Sequence, residues 1–157
     1  MYKILTPANG WGFYVILKIK ERDIKMIDFK EIAYTNRISI KRAIARFCYL
    51  KNVYLSEEDF NTLVRRTQES GYRSAIKFLS QYFMNMSQKN KKQLLYQFTI
   101  EYNVEVVYCR QFPEGNKVMM NLLNGIRTPE QEKFFKEVLF DIIKANKLQE
   151  QIINKYI

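Results

Sequence analysis

Hydrophobic and polar positions alternate along this chain with two periods, and the change of period outlines its elements. Residues 2–5 and 13–19 read as strands. They are separated by Pro7-Ala8-Asn9-Gly10 and a Gly10-Trp11-Gly12 bend, the punctuation of a hairpin. Residues 28–35 and 39–49 then read as helices, with Asp28 and Ser39 as their N-caps. In 50–55 the pattern falls back to a short strand, with Val53 and Leu55 as the apolar alternates. Helical spacing returns at 57–70 and 73–84. Ser56 and Asp59 form a capping-box-like start, and Gly71 is the stop between the two helices.

The second half repeats these signals. Residues 91–102 read as a helix, Val104 to Cys109 as a strand, and Phe112-Pro113-Glu114-Gly115-Asn116 as a turn. The last helix opens with Thr128 as N-cap, Pro129 at the first helical position, and Glu130 and Glu132 at the positive end of the helix dipole. Phe134, Phe135, Val138, Leu139, Ile142, Ile143, Leu148, Ile152 and Ile153 give it one broad apolar face, suited to core packing or to a dimer seam. The expected fold class is therefore mainly α with minor β (α+β). It has an N-terminal β-hairpin, a helical middle of DNA-binding type and a long C-terminal amphipathic helix. The polar run Asn85 to Asn90 divides an expected basic region, 1–86, from a neutral packing or assembly region, 87–157, with one continuous domain as the alternative.

Charge sharpens that division. The net charge is +10, and residues 1–100 hold 18 Lys/Arg against 8 Asp/Glu, whereas residues 101–157 hold 8 of each. A basic half joined to a neutral half points to a polyanion partner, DNA first and RNA as the alternative. The chain has 47% hydrophobic residues and 15% aromatic ones, ample for a real core and unlike a disordered segment. The 2 cysteines, Cys48 and Cys109, sit far apart in apolar surroundings and read as buried thiols. With no histidine, the commonest general base and zinc ligand is missing. No glycine-rich phosphate loop occurs, and Asp23, Asp28, Glu31, Glu101 and Glu105 show no metal-binding spacing. The expectation is a non-enzymatic protein without cofactor or metal. Its apolar run Phe13 to Leu17 is too short for a bilayer, so the chain is expected to be cytoplasmic.

The segment Asn52-Val53-Tyr54-Leu55-Ser56-Glu57-Glu58-Asp59-Phe60, followed by Glu69-Ser70-Gly71-Tyr72-Arg73-Ser74, resembles the ribbon–helix–helix superfamily. Within it, the nearest type is the accessory DNA-binding proteins of plasmid mobilisation and conjugative transfer. The resemblance implies an obligate dimer whose paired strands enter the major groove. It places Asn52 and Tyr54 against bases, with Lys51 at the head of the strand, and Tyr72, Arg73 and Ser74 at a phosphate. Residues 28–47 look like a helix-turn-helix, with Ala33 at the helix crossing and Ile38 in the turn. There Ser39, Lys41, Arg42 and Arg46 are expected to project towards groove or phosphates. Lys89-Asn90-Lys91-Lys92 reads as a solvated helix start, with phosphate contact as the alternative.

The reading these features favour is a transcriptional regulator or an accessory factor of a DNA-processing complex, acting as a homodimer away from membranes. The abundant Tyr and Phe support a second reading, a protein-interaction component such as a phage inhibitor or a ribonucleoprotein subunit.

Overall fold

The computed structural model describes residues 2–5, 15–18, 27–111, 113–123 and 128–157. Seven α-helices lie among them: α1 (Phe29–Ala33), α2 (Ile40–Lys51), α3 (Glu57–Ser70), α4 (Tyr72–Tyr82), α5 (Gln88–Asn103), α6 (Pro113–Leu123) and α7 (Pro129–Asn154). A π-helical segment, Val104–Cys109, continues α5 without a break.

Side-chain caps set most of the helix starts. The carboxylate of Asp28 accepts from the Glu31 N–H, and the hydroxyls of Ser39, Ser56 and Ser87 accept from Arg42, Asp59 and Asn90. Each such cap is worth about 1 kcal/mol. Two stops use a positive φ. Asn52 closes α2 at φ 52°, ψ 41°, and Gly71 separates α3 from α4 at φ 79°. Glycine adopts the second without a Cβ penalty, and asparagine tolerates the first.

The fold class is all-α, which corrects the expected α+β fold with an N-terminal hairpin. The short segments Tyr2–Leu5 and Val15–Lys18 pair only with each other, and among the described residues no helix packs against them. They add no layer to the core. The two internal strands are also corrected. Residues 50 and 51 finish α2 and Val53 to Ser56 are an irregular link, while 104–109 is π-helix. The turn expected from Phe112 to Asn116 is instead the start of α6 from Pro113. The turn and bend at 7–12, Asp23, Phe112, and the side chains of Phe134, Phe135, Val138, Leu139 and Ile143 lie outside the described residues.

Helix α2 is the centre of the molecule. Arg42 to Cys48 are seven consecutive buried residues, so the middle of this helix is covered on every side. It packs against α1, α3, α5 and the π segment. Ile44 and Phe47 join Phe29, Val53, Leu55, Phe60, Leu63, Ile76, Leu79, Leu94 and Phe98 in the main core, to which α7 adds Ile153. Phe47 meets Phe98 edge to face at 5.6 Å. A smaller cluster of Val104, Tyr108, Cys109, Val118, Met119 and Ile142 seats α6 and α7 against the π segment. Leu148, expected on the apolar face of α7, is 73% exposed.

Helix α6 approaches the π segment at Gly115, where a Cβ would collide with the backbone carbonyl of Tyr108. Gly115→Ala should therefore lower stability by roughly 1–3 kcal/mol, the usual penalty of overpacking. Urea unfolding followed by circular dichroism measures this, and an unchanged midpoint would contradict the close approach.

Candidate nucleic-acid interface

Two arginines one turn apart on α2 face two glutamates one turn apart on α5 and its π extension. Arg42 is fully buried and grips Glu105 with two bonds, Nε to Oε1 at 2.6 Å and Nη2 to Oε2 at 2.9 Å. Its Nη1 donates to the Thr35 carbonyl at 3.0 Å. Arg46, 2% exposed, donates from Nε to the Glu101 carboxylate and from Nη2 to the Glu101 backbone carbonyl. Its Nη1 lies 3.5 Å from Glu105. The backbone N–H of Ser39 also donates to Glu105.

This arrangement corrects the expectation that Arg42 and Arg46 project from a recognition helix. Their heads are turned inward because Glu101 and Glu105 supply buried counter-charges. Ser39 is turned to structural use as well, as the N-cap of α2. Only Lys41 of that set is fully exposed.

The ribbon residues are placed differently from expectation too. Asn52 is the left-handed stop of α2, its backbone N–H donating to Cys48. Tyr54 packs half-buried against the main core, and its carbonyl accepts from the Tyr82 hydroxyl at 3.2 Å. Tyr72 is 9% exposed, its hydroxyl 2.6 Å from Thr99 Oγ1. Since Thr99 donates onward to the Leu95 carbonyl, Tyr72 is the donor of this pair. Burial pushes its phenol up to about 12. Arg73 is exposed and Ser74 half-buried, both on the first turn of α4.

The structure gathers a different basic set. A groove of about 610 Å³ runs between the C-terminal end of α2 and the outer face of α5, lined by Lys51, Lys89, Lys92, Gln93, Tyr96, Gln97 and Ile100. The α5 residues follow helical spacing along one stripe, about 16 Å long at the usual rise per residue. Lys92 Nζ lies 5.9 Å from the centre of the Tyr96 ring, a cation–π distance. Desolvation, then a hydrogen bond to the Glu150 carboxylate, raises the Tyr96 phenol to about 12, so it stays neutral and donates to α7.

Sequence reading saw Lys89 and Lys92 as a solvated cluster and passed over Tyr96. The available signal was the i, i+3, i+4 recurrence of Lys, Gln and Tyr through 89–97. A second hollow, about 520 Å³, is lined by Ile27, Phe29, Tyr49, Asn52 and Tyr54 among others and contains both Asp28 and Lys30. Its balanced charge makes it the poorer host for a polyanion.

The buried pairs also redistribute the surface charge. Setting aside the internal pairs of Arg42 and Arg46 with Glu105 and Glu101, the sequence has 16 Lys/Arg against 8 Asp/Glu in residues 1–100, and 8 against 6 in 101–157. The remaining excess, +8 and +2, extends beyond the first hundred residues.

Other chemistry is weakly supplied. Burial raises both thiols, Cys109 to about 12, which holds them protonated and poorly nucleophilic. Among the described residues no cluster of His, Cys, Asp and Glu is placed to hold a metal ion, and no helix is long and apolar enough to cross a membrane. No protein-family model, characterised protein or solved structure matches the chain.

The network makes two predictions. Glu105→Ala strands the Arg42 guanidinium in the interior and should cost about 3–5 kcal/mol in urea unfolding, as broken buried pairs do; a loss under about 1 kcal/mol, the level of an exposed pair, would contradict the geometry. Glu101 is held above its ordinary carboxyl range, since desolvation outweighs the attraction of Arg46. Between its unfolded and folded pKa the folded state binds more protons, so stability falls as pH rises through that interval. Glu101→Gln should flatten this part of the melting-temperature profile, and an unaltered slope would count against it.

Proposed function

We propose that this protein binds nucleic acid through the α2–α5 groove, contacting the phosphate backbone, as a non-enzymatic regulator or accessory factor. The observation that carries this reading is the composition of the groove wall: three lysines, two glutamines, one tyrosine and one isoleucine, with no carboxylate lining it and Glu150 set at the Tyr96 hydroxyl. Lysines attract phosphates as point charges. Glutamine amides donate and accept at base edges or sugars. The surplus of surface cations supports long-range attraction of a polyanion.

The groove also explains how such binding survives the inward turn of Arg42 and Arg46. Those cations serve the fold, while the lysines of α5 stand on the helix they help to fix. Backbone contacts of this kind release condensed counterions, so affinity falls steeply with salt.

The double substitution Lys89→Ala/Lys92→Ala should weaken binding of an oligonucleotide about tenfold or more and lower the slope of log K against log salt by roughly one to two. Lys77→Ala/Lys117→Ala removes two exposed lysines that do not line the groove, and should leave the slope close to wild type. Fluorescence anisotropy over a salt series measures both. Equal losses from the groove pair and from Lys77→Ala/Lys117→Ala would reduce the attraction to net charge and remove the groove from the account.

A further inference from the structure

The groove's shape carries a more specific reading, which rests on the nucleic-acid assignment just given. We infer that its ligand is single-stranded, held by its phosphates on Lys89 and Lys92 with an unpaired base against Tyr96. Reading a duplex through the major groove requires a protruding helix or ribbon that enters it. Here the basic surface is a shallow, open groove with no protruding element among the described residues, and the opposite side of α5 is occupied by Leu94, Leu95, Phe98 and Thr99 packed inward.

An aromatic ring on the wall of a basic groove favours a strand whose bases are unstacked. In a duplex the base faces are closed by their neighbours. In a single strand each base offers a face, and stacking on a tyrosine tolerates any sequence. Tyr96 is suited to this by its neighbours. Lys92 Nζ stands within cation–π range of its ring. A phosphate drawn to Lys92 therefore brings its nucleoside to Tyr96. Gln93 and Gln97, on either side of Tyr96 in sequence and lining the same groove, place amides where the edge of a splayed base would lie.

The test compares oligothymidylate, oligouridylate and a mixed-sequence duplex of matched length by fluorescence anisotropy at low salt. Wild type, Tyr96→Phe, Tyr96→Leu and Lys89→Ala/Lys92→Ala are assayed together, with thermal melts confirming that each variant is folded. At least one single strand should bind about tenfold or more tightly than the duplex. Tyr96→Phe keeps the ring and should keep the affinity. Tyr96→Leu should lose about tenfold on the single strand and little on the duplex.

If binding persists and depends on the lysines but the duplex is bound as well as the single strands, or Tyr96→Leu binds as wild type, the single-strand inference is overturned and the groove assignment stands. If no polynucleotide binds, or binding ignores Lys89 and Lys92, the groove assignment itself fails and the inference with it.

Discussion

The antiparallel seating of α2 on α5 depends on two guanidiniums and two carboxylates enclosed between them. Moving each of these ions out of water costs several kcal/mol, so the pairs can exist only where their geometry returns that energy. Arg42 meets this condition, with Nε, Nη1 and Nη2 all bonded. Because Arg42 faces Glu105 and Arg46 faces Glu101, each pair one turn apart, the contact fixes register as well as distance. A one-turn slip of either helix would leave one buried cation and one buried anion without partners. Apolar side chains around the cluster fill space and give stability, but they would tolerate sliding better than these charges do.

This seating determines where the rest of α5 can point. With Leu94, Leu95, Phe98 and Thr99 committed inward and Glu101 held by Arg46, the face carrying Lys89, Lys92, Gln93, Tyr96 and Gln97 turns towards the end of α2. Lys51 connects the two regions. It lines the groove, and its charge also favours the ionised form of Glu101. The arginines thus act as framework and the lysines as surface. That division agrees with their chemistry, since the planar fork of arginine suits a fixed bidentate pair, whereas lysine is a hydrated, flexible point charge.

Much of the helical framework was legible in the chain. Asp28, Ser39 and Ser56 cap helices as their positions suggest, and Gly71 stops α3. The differences share a physical cause: a distant partner decides the structure where local propensity points elsewhere. Val104 to Cys109 is rich in β-branched and aromatic residues and reads as a strand, yet Glu105 must follow Glu101 by about one helical turn to meet Arg42. The tertiary contact overrides the propensity. Asn52 suggests a base reader because a strand was expected around it, whereas its left-handed backbone is what ends α2. Arg42 and Arg46 lie among Ala43, Ile44, Ala45, Phe47 and Cys48. In such apolar company an inward-facing cation demands a carboxylate, and the matching Glu101 and Glu105 stand some sixty residues further on. The candidate groove was missed for a similar reason, because its two sides, Lys51 and the stripe from Lys89 to Ile100, are brought together only by the fold.

The division of labour between arginine and lysine is most directly tested by nuclear magnetic resonance on the labelled protein during titration with an oligonucleotide. The account predicts that backbone amides of Lys51 and of the stripe Lys89 to Ile100 shift progressively, while the Nε–H signals of Arg42 and Arg46 stay in place and remain protected from exchange with water. Shifts that centre on Arg42 and Arg46, or that avoid α5 altogether, would contradict it.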